Sequence, residues 1–239
     1  MELRGRGALV TGASKGLGAA LALELARRGA RVALVARGAR ELADTAARIR
    51  AAGFEAHAPP ADVGNNHAVH GIAGAAAALV GPIDLLVHNA SDLGPTPLRL
   101  LLDTECEDLE RVLQTNLVGP FRLTKIVAGA MTLRGSGLVV HVTSDAAVAA
   151  YPRWGAYSVS KAALDHLNRL WAAELASSGV RFLSIDPGEM DTAMHAAAMP
   201  DADRASLLRP SDVASHIVRL VEDSGRIESG SRLILAEVS

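Results

Sequence analysis

Short apolar runs alternate with longer amphipathic stretches along nearly the whole chain. Seven runs read as strands, at 8–11, 31–36, 55–59, 83–88, 137–143, 180–185 and 232–235. Most are continuously apolar, as in Ala33-Leu34-Val35 and Leu138-Val139-Val140. A strand covered on both faces by helices needs that pattern, whereas a half-exposed strand alternates. Between the runs, apolar positions recur at helical spacing over 16–28, 39–52, 65–80, 105–133, 155–177 and 211–222. This alternation predicts an α/β fold. The expected form is a doubly wound, Rossmann-like parallel sheet of about seven strands, in a single domain over 1–239 with right-handed crossovers.

The punctuation agrees. Gly29 and Gly53 follow the first two helical stretches in the stop position, and Gly81-Pro82 ends the third. Ser211, behind Pro210, reads as the N-cap of the last helix. The one long irregular stretch is 186–210. A connection of that length inside a compact domain is usually functional, so it is expected to be a substrate lid.

Composition narrows the function classes. Hydrophobic residues make up 49% of the 239 and aromatics only 3%, so the core must be built from Ala, Val, Leu and Ile. The 24 basic and 26 acidic residues nearly balance, without the basic excess of a nucleic-acid binder. Cys106 is the single cysteine, so no intramolecular disulfide or cysteine cluster can form; no metal site is expected, and the thiol reads as a helix-surface or part-buried group. The opening Met1-Glu2-Leu3-Arg4-Gly5-Arg6 runs directly into the first strand without a leader pattern. No uninterrupted apolar run reaches the roughly 18 residues of a membrane span, the Ala-rich 68–80 stretch coming nearest. A cytoplasmic protein without nucleic-acid or membrane partners is the expectation.

The first strand leads into Thr11-Gly12-Ala13-Ser14-Lys15-Gly16-Leu17-Gly18. Glycines at 12, 16 and 18, at a strand-to-helix junction, permit a tight turn and close approach of a pyrophosphate. The helix that follows aims its free N–H groups and positive end at the phosphates. Dinucleotide binding is therefore expected at Gly12, Ser14, Lys15, Gly16, Leu17 and Gly18. An NAD enzyme usually ends its second strand on a carboxylate that accepts from the ribose hydroxyl. Here that strand ends Val35-Ala36-Arg37. Arg37 offers a planar fork to a 2′-phosphate and Lys15 a second cation, which favours NADP(H) over NAD. Asp62, followed by Val63, is placed to accept from an adenine amino group, to cap a helix starting near Asn65, or to do both.

The reacting centre is read from three residues. Tyr157 and Lys161 stand four apart on a helical stretch and so project from one face. Ser144 ends the fifth strand, at the carboxyl edge where open α/β sheets bind ligands. A phenol with an ordinary pKa of about 10 is a poor base near neutrality. A nearby ammonium, helped by the charge of an oxidised nicotinamide, is expected to lower it. Tyr157 would then exchange the proton of an alcohol, while Ser144 polarises the carbonyl oxygen.

Together these motifs resemble the short-chain dehydrogenase/reductase family, in its short single-domain branch and over essentially the whole chain. The glycine spacing Gly-x-x-x-Gly-x-Gly and Tyr157-Ser-Val-Ser-Lys161 carry the resemblance. Asn116-Leu-Val-Gly119 matches the family's Asn-x-x-Gly. The resemblance implies that Asn116 keeps a local kink and joins a proton relay to Lys161, and that Lys161 holds the nicotinamide ribose. It also places Asn89, Ala90, Pro187, Gly188 and Thr192 at the cofactor, and assigns Asp62-Val63 to the adenine. It further implies a homodimer or homotetramer built on the 105–133 and 155–177 stretches. One departure is Ser91, where the family usually has Gly after Asn-Ala. Another is His88, often Asn in the family, which reads as a part-buried histidine.

Pocket walls are expected from 92–95, 145–154 and 189–199, with Met190, Met194 and Met199 as a mobile apolar cover. Tyr151 reads as wall or lid. Asp145 either meets a polar or cationic substrate group or caps local backbone. The leading function is a carbonyl–alcohol oxidoreductase using NADP(H) on a small-molecule substrate. The alternatives are an NAD-preferring dehydrogenase, an epimerase or dehydratase, and a dinucleotide-sensing regulator without turnover.

Overall fold

The computed structural model describes residues 1–237. Seven strands form one all-parallel sheet: β1 (Gly7–Thr11), β2 (Arg31–Val35), β3 (Ala56–His57), β4 (Ile83–His88), β5 (Gly137–Val142), β6 (Val180–Asp186) and β7 (Arg232–Ile234). Their order is β3-β2-β1-β4-β5-β6-β7, so the winding reverses between β1 and β4. That reversal opens the crevice in which doubly wound sheets bind their ligands. The central strands are buried on both faces, which explains their unbroken apolar sequence.

The described residues form eight α-helices, which flank the sheet except for α7 at the mouth of the crevice: α1 (Gly16–Arg27), α2 (Ala39–Ala51), α3 (Val69–Val80), α4 (Cys106–Leu113), α5 (Gly119–Arg134), α6 (Gly155–Glu174), α7 (Ala193–Ala198) and α8 (Pro210–Glu222). On one face Leu17, Leu21 and Leu25 of α1 meet Val213, Ile217 and Val221 of α8 in a common cluster. Burying a leucine or isoleucine of this kind contributes about 2 kcal/mol. On the other face Leu123, Val127 and Met131 of α5 pack with Ile72 and Ala76 of α3 and with Phe182. No helix among the described residues is long and apolar enough to cross a membrane.

Several boundaries differ from the sequence reading. The third strand spans only Ala56–His57, not 55–59, because it is the edge strand and pairs with β2 alone. The third helix begins at Val69 rather than near 65, so Asp62 does not cap it; its Oδ1 accepts from Gly64 N at 2.9 Å in a local turn. The 105–133 stretch is three segments, α4 and α5 joined by a π-turn at Gln114–Val118. Pro210 is the first residue of α8 and Arg209 its cap, which displaces Ser211 from the cap position. Proline suits that place because it lacks the N–H a first turn leaves unpaired. The 186–210 stretch holds α7, a 3-10 turn at Arg204–Ser206 and a bridge between Met190 and Leu208.

Candidate active site

A cavity of about 690 Å³ opens at the carboxyl ends of the strands. Its walls include Gly12, Ser14, Lys15, Gly16, Leu17, Arg37, Asp62, Val63, Asn89, Ala90, Ser144, Tyr157, Lys161, Pro187, Gly188 and Thr192. Two expected site residues lie outside its lining. Gly18 is packed beneath the glycine turn, and Asn116 stands one layer behind.

The turn is built by close approach. Gly12 has φ 67°, and a Cβ there would lie 2.7 Å from the Ala90 Cα. A Cβ on Gly18 would overlap the Gly12 carbonyl and Asn89 Nδ2. Asn89 Nδ2 donates to the carbonyls of Thr11 and Gly12, each at 3.1 Å. Thr11 Oγ1 in turn accepts from Asn89 N and Ala90 N, at 3.1 and 3.2 Å. The end of β4 is thereby latched to the end of β1 across the reversal. Thr192, which caps α7 by accepting from His195 N, stands over Gly16. The cradle, the α1 N-terminus and the cations at one end fit a dinucleotide. Neither Lys15 nor Arg37 forms an ion pair among the described residues, and both are exposed.

Tyr157 and Lys161 project from one face of α6, as their spacing predicts. The Lys161 ammonium lies 5.5 Å from the centre of the Tyr157 ring and donates to the Val142 carbonyl at 2.7 Å. Both side chains are buried. Burial lowers Lys161 to about 8. The expectation that Lys161 draws the phenol down is not met by the protein's own groups. Burial pushes Tyr157 up to about 12, the Asp145 and Asp186 carboxylates act in the same direction, and the facing Ser144 and Ser91 hydroxyls offset only part of it. Desolvation of the phenolate is the largest cause, and the Lys161 ammonium 5.5 Å from the ring centre does not offset it.

Ser144 Oγ donates to Asp145 Oδ1 at 2.9 Å and accepts from Ala146 N at 3.2 Å. Asp145 also accepts from Ala146 N at 2.8 Å and, on Oδ2, from the Tyr151 hydroxyl at 2.8 Å. Of its two sequence readings, the backbone cap is present in the Ala146 N contact, and Asp145 also lines the cavity where a substrate group could meet it. Tyr151 is a wall residue, as expected. Ser91 Oγ is buried with no partner of normal hydrogen-bond geometry.

Asn116 lies in the π-turn. Its Oδ1 accepts from Asp92 N at 2.7 Å, and its Nδ2 donates to Asp92 O at 2.8 Å and to Ser160 Oγ at 2.9 Å. The implied kink is present as a widened turn. Sequence reasoning missed Ser160, which donates to the Tyr157 carbonyl at 2.6 Å, and also the acids and arginine behind the site. Ser160 sits inside the Tyr-x-x-x-Lys motif, and no spacing rule marks it. His88 is fully rather than partly buried, with Nε2 2.8 Å from Thr124 Oγ1. Cys106 is exposed at the start of α4.

Comparison with known proteins agrees with this geometry. Residues 6–203 match the family model described as short chain dehydrogenase. The chain is 35% identical to a cis-4-hydroxycyclohexanecarboxylate dehydrogenase of Sinomonas cyclohexanicum, over 95% of this chain and 94% of that one. It is 32% identical to a glycine betaine reductase of Emericella nidulans, where 97% of this chain matches only 19% of a much longer protein. A solved short chain dehydrogenase of Shigella flexneri complexed with NADP superposes with a TM-score of 0.91 at 28% identity, covering 98% of each chain. The chain belongs to the short-chain dehydrogenase/reductase family of nicotinamide-dependent oxidoreductases.

Proposed function

We propose that this protein interconverts a carbonyl and an alcohol with NADP(H), using Tyr157 as general acid and base. The observation that carries the reading is the convergence of Ser144, Tyr157 and Lys161 with the glycine cradle on one cavity. The phosphate form is favoured by Lys15 and Arg37 at the far end and by the lack of a carboxylate ending β2. The NADP complex of the Shigella flexneri relative supports it.

When bound, the nicotinamide supplies or takes the hydride. Gly12, Ser14, Gly16, Leu17 and the α1 N-terminus would hold its phosphates, Asp62 and Val63 the adenine, and Asn89, Ala90, Pro187, Gly188 and Thr192 the rest. In reduction, Tyr157 gives its proton to the substrate oxygen. A phenol held near 12 is fully protonated at neutral pH and ready to do so. The Lys161 charge beneath the ring stabilises the phenolate left behind. The Ser144 hydrogen turns from Asp145 to the same substrate oxygen. In oxidation each proton moves in reverse. Asn116 belongs to the same apparatus by fixing α6 behind Tyr157. Residues 186–210 act as the lid, with Met190, Met194 and Met199 over the substrate. The substrate is a small molecule.

A panel of ketones and aldehydes, with NADPH consumption as the signal, tests this. Turnover should appear on some members and fall by about a thousandfold or more in Tyr157→Phe, the general-acid term being of this order. Retained turnover in that variant overturns the assignment of Tyr157. NADPH binding without turnover on any member would favour the regulatory alternative. We also propose a homodimer or homotetramer. Its support is the exposed apolar side chains Phe121 and Leu133 on α5 and Val159 and Leu170 on α6. A monomer in sedimentation would contradict it.

A further inference from the structure

Arg232, the first residue of β7, sends its guanidinium to three elements around the reacting centre. Its Nε donates to Asp165 Oδ2 at 3.0 Å. Its Nη2 donates to Asp186 Oδ2 at 2.7 Å and to the Ser144 main-chain oxygen at 3.0 Å. Asp165 lies one turn beyond Lys161 on α6. Asp186 ends β6, and its other oxygen accepts from Gly188 N at 3.1 Å. The Arg232 side chain is only 18% exposed and the two acids 7% and 4%.

The ladder does not need this guanidinium. β7 is already paired with β6 through Ser184, Ile185 and Asp186. What the side chain adds is sideways, a tie from the sheet edge to the serine of the site and to the helix carrying Tyr157 and Lys161. A planar fork with several donors can satisfy three acceptors at once; an ammonium is a point charge without that geometry. Buried ion pairs contribute little net stability, so stability alone is a weak account of it.

The charges also balance. Lys161 and Arg232 are two cations, and Asp165 and Asp186 two anions. Both acids favour the charged form of Lys161. The other titratable groups facing Lys161 are Tyr157, His88 and His141, and burial disfavours charge on both histidines. Asp145 faces Tyr157 from the pocket side.

We propose that Arg232 is a positioning residue for the reaction: it locks Ser144 against α6 and sets the charge balance at Lys161. This rests on the reading of Tyr157 and Lys161 as the proton-handling pair. Lys15, Lys125 and Lys161 are the only lysines, so lysine-labelled NMR follows the Lys161 Cε resonance in the ligand-free protein. In Arg232→Gln the Lys161 midpoint should move up by about half a unit or more, because two carboxylates lose their shared cation. Arg232→Lys should keep the midpoint and still lose turnover, since it restores charge without the fork. Turnover should fall about tenfold or more in both, the scale of a small misplacement of reacting groups. If Arg232→Gln does not fold, Asp165→Asn serves, and its midpoint should move down. A folded Arg232→Gln with an unchanged midpoint and turnover overturns the proposal, as does an unmoved midpoint in Asp165→Asn. Tyr157→Phe separates the two failures. Surviving turnover there removes the reading of the proton pair, whereas lost turnover there beside an unaltered Arg232→Gln removes only the role of Arg232.

Discussion

The Asn116 amide donates to Ser160 Oγ at 2.9 Å, joining the π-turn before α5 to the helix that carries Tyr157 and Lys161. Ser160 passes the link on by donating to the Tyr157 carbonyl at 2.6 Å. Its hydroxyl is wholly buried, so both contacts are made without competition from water. A helix interior rarely tolerates a widened turn unless the freed backbone and side-chain groups find partners. Here the Asn116 side chain spends its oxygen and one hydrogen on the Asp92 backbone and the other hydrogen on Ser160.

Ser160→Ala should therefore leave the Asn116 amide short of one buried acceptor. A loss of about 1–3 kcal/mol in urea unfolding is expected, the usual cost of an unmet buried group. Turnover should fall as well, because the register of Tyr157 against the π-turn is no longer held. An unfolding midpoint equal to that of the unaltered protein would show that the link carries no energy.

Arg37 tests the phosphate preference. Removing an unpaired guanidinium from the adenosine end should weaken NADPH binding about tenfold to a hundredfold while leaving NADH nearly unchanged, the range of a charge-assisted contact to phosphate. Fluorescence titration of both nucleotides against Arg37→Ala reads the difference. Equal weakening of the two would assign Arg37 a general rather than a phosphate-reading role.

The buried histidines make stability depend on pH. His88 and His141 are cross-strand neighbours in β4 and β5, with rings stacked 5.1 Å apart. His141 Nδ1 lies 3.1 Å from Asn168 Oδ1, while its Nε2 is buried without a partner. Burial lowers both, His141 to about 4. The fold therefore keeps neutral rings that the unfolded chain protonates near the ordinary value of about 6.5. The contribution of His141 is complete above that pH and is lost as pH falls from there toward about 4, by an amount on the order of 3 kcal/mol, and His88 acts in the same direction. Urea midpoints at pH 7 and pH 5 should converge in His141→Gln relative to the unaltered protein. Parallel slopes in the two would rule the histidine out as the source.

Much of the site can be read locally. The unbroken apolar runs of β1, β4 and β5 imply strands covered on both faces, and the glycines at 12, 16 and 18 need no distant information to mark a phosphate turn. Tyr157 and Lys161 share a face because a helix repeats that way. Helix ends were less legible. Asp62 and Ser211 both carry capping side chains, yet the chain closes a turn at one and starts a helix on a proline at the other. Local preference alone does not choose between such nearly equal options.

By itself, the sequence determined the order of strands and helices along the chain, the glycine turn, and the shared face of Tyr157 and Lys161. Those follow from periodicity and from backbone rules that act within a few residues. Only the tertiary structure decided what surrounds them. Arg232 reaches Ser144 across 88 positions and Asp165 across 67, distances over which no spacing rule operates. The proton affinities of Tyr157 and Lys161 were likewise settled by packing, since desolvation depends on everything folded over a group rather than on its neighbours in the chain.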